Sequence, residues 1–268
     1  MENQRVAFVL TGGGAKGAFQ VGVMQSLYGK GIRPDVIYGT SVGALNAAGY
    51  AYQGVIGLEK IWKSISSRSD ILKLNWWKLL WAEGIYSTSP LKKLINKTIS
   101  GSPSAEAVAC SVDYERGKIR YTSNKSVSRD EFKEQVLASA SIPVVMDLVN
   151  GWMDGGVREI GPLSIAVKEG ARKVYVISAN PINEDPSYES MPNGFFKIAK
   201  IAYRVIDGIL EHEIFINDMK VCKAMADDVE FHVYAPDQLV IDTLEFNQKK
   251  ILKAMEQGRL TKAIEGLP

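Results

Sequence analysis

The sequence predicts an α/β fold, a three-layer sandwich with a central, mainly parallel sheet between helices. Three observations point to it. Val6-Ala7-Phe8-Val9-Leu10 and Val36-Ile37-Tyr38 are short, continuous apolar runs, the pattern of strands covered on both faces. Each run leads through small residues into a helical pattern, so the first fifty residues read strand, loop, helix, strand, turn, helix. Strands joined by such crossovers lie parallel. The 268 residues are 46% hydrophobic and 23% charged, enough apolar material for a full core, with no internal repeat and no low-complexity linker. Residues 1–268 are therefore read as one domain, with a motif-bearing core over about 5–180 and a helical C-terminal part over about 185–268.

Taken in order, Thr11-Gly12-Gly13-Gly14-Ala15-Lys16-Gly17 follows the first strand, and Phe19, Val21, Val23, Met24 and Leu27 mark the first helix. Pro34 and Asp35 lead into the second strand, which runs into Ser41. The stretch from Val36 to Leu58 carries no charge but holds five glycines with Thr40, Ser41, Asn46 and Gln53. It reads as a buried strand and a buried helix, not as a membrane span. Helical spacing continues after Gly54 through Ile56, Leu58, Ile61, Trp62 and Ile65. Ile71 to Trp81 sets Trp76, Trp77 and Trp81 among leucines and lysines. Ser89-Pro90 starts a helix with proline at its first position and Leu91, Leu94 and Ile95 on its apolar face.

Val108–Val112 and Ile119–Ser123 read as a hairpin around Glu115-Arg116-Gly117. Arg129 to Ser139 is an amphipathic helix with Ser128 as N-cap. Val144 to Val149 is strand-like, and Asn150-Gly151 is a tight-turn signal before Trp152-Met153-Asp154. A short helix over Pro162–Glu169, a core strand at Val174–Ser178, a long helix over Phe196–Met225, a late strand at Glu230–Tyr234 and a closing helix over Leu244–Leu260 complete the chain.

Ser41 stands two residues after Gly39 and two before Gly43, the G-x-S-x-G spacing of a nucleophile elbow. A serine on a tight strand-to-helix turn leaves no room for side chains at those two positions, and the N–H of Val42 falls at a helix N-terminus. The glycine loop could turn further N–H groups towards a reacting oxygen, where a helix dipole favours negative charge. Both turns would open at the carboxyl edge of a parallel sheet. His212 lies between Glu211 and Glu213, and His232 lies in mid-strand, so neither has the placement of a triad base. Asp154, followed by Gly155 and Gly156, is the candidate carboxylate, although Asp-Gly is also common in plain turns.

Gly12-Gly13-Gly14-Ala15-Lys16-Gly17, then Gly39-Thr40-Ser41-Val42-Gly43, then Asp154-Gly155-Gly156, with the small-residue stretch Ala138–Pro143 ahead of the aspartate, resemble the patatin-like phospholipases over about residues 5–180. The resemblance implies a serine acyl hydrolase that cleaves phospholipid or lysophospholipid esters through a Ser–Asp dyad and an acyl-enzyme. Ser41 would be the nucleophile and Asp154 the base. The oxyanion loop would be Gly12, Gly13, Gly14, Lys16 and Gly17, the elbow glycines Gly39 and Gly43, and Gly155 and Gly156 would support the dyad. The family often carries arginine where Lys16 stands; lysine keeps the charge without the planar fork. An aspartate near pKa ~4 is a poor base for a hydroxyl, so the site is expected to bury Asp154 or to lean on the oxyanion donors.

Other features bound the reading. The net charge of +2, without a basic run, does not suggest nucleic acid. Cys110 and Cys222 lack metal-ligand spacing, and no metal or organic cofactor is implied. The N-terminus lacks the build of a signal peptide, so a cytoplasmic setting is expected. Trp76, Trp77 and Trp81 beside lysines suit either transient contact with a membrane surface or a packed lid. Two rivals remain. Gly12-x-Gly14-x-x-Gly17 with Asp35 also fits a dinucleotide fingerprint, and Tyr114 and Lys118 have a dehydrogenase-like spacing. The same fold could also serve as a non-catalytic lipid- or partner-binding module.

Overall fold

The computed structural model describes residues 4–74, 84–182 and 211–266. Its elements are β1 (Val6–Leu10), α1 (Gly17–Gly29), β2 (Val36–Thr40), α2 (Val42–Ser64), β3 (Lys73–Leu74), β4 (Gly84–Ser87), α3 (Ser89–Thr98), β5 (Glu106–Asp113), β6 (Ile119–Ser123), α4 (Arg129–Ser139), β7 (Val144–Met146), β8 (Trp152–Asp154), α5 (Leu163–Lys168), β9 (Lys173–Ile177), α6 (Glu211–Met225), β10 (Glu230–Tyr234), α7 (Gln248–Leu260) and β11 (Ile264–Glu265).

Among the described residues the main sheet has the order β11-β10-β9-β1-β2-β5-β6, with β8 also paired to β5. The five central strands, β10 to β5, are parallel, and β11, β6 and β8 run antiparallel at the margins. The expected mainly parallel α/β sheet is therefore present. Strand alternation divides the core in two. Phe8, Leu10 and Ile37 join α1, α2, α3 and α7 on one face. Ala7, Val9, Val36 and Tyr38 join α5 and α6 on the other.

Two pairings set up the site. β2 runs along β5 from Val36 opposite Glu106 to Thr40 opposite Cys110. β8 then takes the next positions, from Asp113 opposite Trp152 to Ser111 opposite Asp154. The far edge of β5 is occupied by β6. The ends of β2 and β8 therefore meet on one edge of β5, with Ser41 just past one end and Asp154 at the other.

Local signals held where they were strong. Ser128 caps α4 by accepting from the Glu131 N–H, and Asn150 and Gly151 take φ of 52° and 79° in a tight turn closed by Val149 and Trp152. Boundaries moved elsewhere. The expected Val144–Val149 strand is cut to Val144–Met146. The closing helix starts at Gln248, where Asn247 caps it, and not at Leu244. Pro90 is the second residue of α3, because Thr88 is the N-cap. Trp76, Trp77 and Trp81, and the long-helix positions before Glu211, lie outside the described residues.

α7 packs on α1 at backbone contact. A Cβ on Gly22 would stand 1.9 Å from the Met255 carbonyl oxygen, and one on Gly258 would stand 2.1 Å from that of Phe19. No described helix is long and apolar enough to cross a membrane.

Candidate active site

Ser41 is the N-cap of α2 at φ 56° and ψ −126°, a conformation that a non-glycine residue holds only when its surroundings force it. The flanking glycines supply that surrounding. A Cβ on Gly39 would lie 2.3 Å from backbone atoms of Gly43, and a Cβ on Gly43 would lie 2.3 Å from the Leu10 carbonyl oxygen at the end of β1. The G-x-S-x-G spacing is thus a three-way backbone contact. The turn is also tied at both sides: the Ser41 N–H donates to Ser139 Oγ at 3.0 Å, and Thr40 Oγ1 donates to the Glu159 carbonyl at 2.9 Å.

The glycine loop lies against this turn, since a Cβ on Gly12 would be 3.2 Å from Ser41 Cβ. Its N–H groups are not equivalent. Gly12 donates to the Ile160 carbonyl and Ala15 to the Thr243 carbonyl, and Lys16 donates to Gly13. Gly17 caps the short 3-10 turn by donating back to Gly14 and Ala15. Gly13 and Gly14, at φ 142° and 54°, have no backbone carbonyl acceptor among the described residues. Val42, at the first position of α2, has none either. The expected set Gly12, Gly13, Gly14, Lys16 and Gly17 therefore narrows to Gly13 and Gly14 as available donors, with Val42 beside them. Lys16 is buried, its stem beside Gly13.

Asp154 is 2% exposed, so the burial expected of it is present. Its N–H donates to the Ser141 carbonyl at 3.0 Å, and its Oδ1 accepts from the Gly156 N–H at 2.8 Å. Gly155 passes close over β5, where a Cβ would meet the Cys110 carbonyl oxygen at 2.5 Å. One short segment thus anchors both groups: Ser139 holds the turn at Ser41, and Ser141 holds the strand end at Asp154.

Neither histidine joins them. Both ring nitrogens of His232 engage carboxylates, Glu230 and Glu265 at 2.7 Å each, and the ring stacks on Tyr175; His232 itself lies on β10, three strands from β2. His212 lies at the start of α6. The dinucleotide rival also loses its geometry. Asp35 Oδ2 accepts from the Val6 N–H at the amino ends of β1 and β2, the edge opposite the glycine loop. Tyr114 is exposed in the β5–β6 turn.

Sequence reasoning did not single out two further parts of the site. The first is Glu159. It is 4% exposed, and its carbonyl supports Thr40. Burial, reinforced by the negative charge of Asp218, pushes its carboxyl up to about 7 against the opposing hydrogen bonds from Tyr121 and Ser164. Five residues after Asp154 in an irregular segment, it carried no pattern that could flag it. The second is an apolar cavity of about 80 Å³, whose lining includes Gly14, Ser41 and Val42.

A serine on a strained turn, available N–H donors, a buried carboxylate and an apolar cavity can together carry acyl transfer. The sequence model of the patatin-like phospholipase family matches residues 8–167, well over half of the chain. Over 46 residues the chain is 56% identical to Lysophospholipase nte1 of Aspergillus terreus, a match covering 17% of this chain and 3% of that relative. The fold is similar to that of VipD from Legionella pneumophila, with a TM-score of 0.56 and 12% identity over 96% of this chain and 65% of VipD. The chain thus spans a small part of the first relative and about two thirds of the second; at 12% identity the likeness to VipD is one of fold.

Proposed function

We propose that this chain, which belongs to the patatin-like phospholipase family, is a serine acyl hydrolase acting on lipid carboxylic esters through Ser41 and Asp154. The observation that carries the reading is the meeting of β2 and β8 on one edge of β5, which brings the Ser41 turn and the Asp154 strand end together beside the glycine loop.

Ser41 Oγ attacks the ester carbonyl while Asp154 takes its proton. The carbonyl oxygen becomes an oxyanion and receives N–H groups from Gly13, Gly14 and Val42. Collapse expels the alcohol, which takes the proton from Asp154 and leaves an acyl group on Ser41. Water, deprotonated by Asp154, then releases the fatty acid and regenerates the serine. The apolar cavity beside Ser41 favours an acyl chain over a polar acyl group.

Residues 1–268 act as one unit in this reading. The C-terminal part supplies the Thr243 carbonyl that holds the Ala15 N–H, and Leu244 and Phe246 at the cavity. Contact with a lipid surface through Trp76, Trp77 and Trp81 rests on the sequence pattern alone. Trp76→Ala with Trp77→Ala should lower activity on vesicles several-fold more than activity on a short soluble ester; equal losses would assign these residues to packing.

The direct test is hydrolysis of a panel of phospholipids, lysophospholipids and soluble esters by wild type and Ser41→Ala, together with labelling by a fluorophosphonate. Ser41-dependent hydrolysis and labelling are expected. Folded wild-type protein that neither labels nor hydrolyses any ester would leave the non-catalytic binding module as the better reading.

A further inference from the structure

α2 is a helical hairpin. A straight helix advances about 24 Å over sixteen residues, yet Trp62 Nε1 donates to Asn46 Oδ1 at 2.8 Å. Gly54, at φ 64° and ψ 173°, breaks the helix and turns the chain back on itself. Nearer the turn, Leu58 lies over Gly49, where a Cβ would stand 2.6 Å from Leu58 Cδ1. The two arms are therefore paired twice, once near Ser41 and once near the hairpin tip.

The cavity runs along this hairpin. On the outgoing arm its lining extends from Ser41 and Val42 to Gly49, and on the returning arm it is confined to Leu58 through Ile65. The hairpin tip between Gly49 and Leu58 takes no part in that lining. α3 closes the side with a stripe from Leu91 to Ile99 at helical spacing. Eight residues of helix separate Ser41 from Gly49, about 12 Å or roughly the extended length of nine or ten carbons. Along that length, beyond Ser41, the lining is apolar apart from Asn46 and Thr98, as an alkyl chain requires.

Resting on the hydrolase reading above, we propose that the Gly49–Leu58 contact is the closed end of an acyl tunnel and sets the length of acyl chain the enzyme accepts, with an optimum of about 8–12 carbons. Trp62, held by Asn46, pins the returning arm to the outgoing one. Asn46 is fixed in turn, since its Nδ2 donates to the Gly17 carbonyl and to Gln20 Oε1. Leu58 is a specificity-determining residue here and takes no part in the chemistry.

The test is kcat/KM for straight-chain p-nitrophenyl esters from acetate to palmitate. Wild type should peak at about 8–12 carbons and fall at least about tenfold by palmitate. Leu58→Ala should move the peak to longer chains and Leu58→Phe to shorter ones. Each result is read as the long-to-short ratio within one variant, so a change in the amount of folded protein cancels. A wild-type profile that keeps rising to palmitate, or a peak left in place by both substitutions, overturns the inference while leaving Ser41 chemistry intact. Absence of any Ser41-dependent hydrolysis overturns the hydrolase reading and this inference with it.

Discussion

The two faces of the sheet behind Ser41 are built on opposite terms. On the face shared by Ile37, Leu10 and α2, the space next to the serine is lined by aliphatic side chains and left partly empty. On the face shared by Tyr38, Thr40, α5 and α6, the core holds ionisable groups. Glu159 receives hydrogen bonds from Tyr121 and Ser164, and burial holds Asp218 nearby at about 6. Tyr38 donates to Glu169 at 2.5 Å on the same side. The contrast shows how a strained turn can border a hollow. Hydrogen bonds from the polar face and from the end of α4 clamp the turn, so the apolar face need not be packed solid to hold it.

The edge where the two faces meet should be the most sensitive part. Asp154→Asn should lower kcat by about 10³-fold or more with little change in melting temperature, since the amide keeps the shape and loses the base. An activity within tenfold of wild type would remove Asp154 from the mechanism. Gly43→Val should destabilise by about 3 kcal/mol or prevent folding, because the added carbon meets the β1 backbone and not a flexible side chain. Thermal unfolding of purified variant against wild type reads this directly.

The acidic face should show itself through pH. The folded protein holds the Glu159 proton up to about 7, whereas the unfolded chain releases it near 4.5. Between those values the native state binds more protons, so stability falls as pH rises through the window. Asp218 acts in the same direction up to about 6. Glu159→Gln should flatten this slope, by about 2 kcal/mol across pH 4.5–7, measured as urea midpoints at several pH values. A slope unchanged in the variant would show that Glu159 is not the group that titrates. The smallest effect belongs to the apolar face. Trp62→Phe replaces the buried indole by a smaller ring, loses the hydrogen bond to Asn46 and should cost about 1–2 kcal/mol. A larger loss would mean that the hairpin depends on the packing of the whole indole.

Legibility in the sequence followed the range of the forces involved. The elbow was readable because Gly39, Ser41 and Gly43 crowd one another within five residues. The Ser128 cap and the Asn150-Gly151 turn were readable for the same reason: each is decided by neighbours a few positions away. The α2 hairpin was not. Residues 42–64 keep helical spacing on both sides of Gly54, and only the folded chain, with Trp62 on Asn46 and Leu58 over Gly49, shows that it doubles back. Glu159 was equally silent, because nothing around it in the chain foretells Tyr121, Ser164 and Asp218 converging on one carboxyl.

The sequence by itself determined the α/β class, the strained turn at Ser41 and the glycine loop before it, since apolar runs and steric crowding act within a few residues. Tertiary structure decided which loop N–H groups remain available, by giving Gly12 to Ile160 and Ala15 to Thr243. It also decided that the ends of β2 and β8, which carry Ser41 and Asp154, meet on one edge of β5. That meeting needs β2 and β8, more than a hundred residues apart, to share one edge of β5 in a fixed register. Register between distant strands is set by the packing of the whole sheet, which no local pattern encodes.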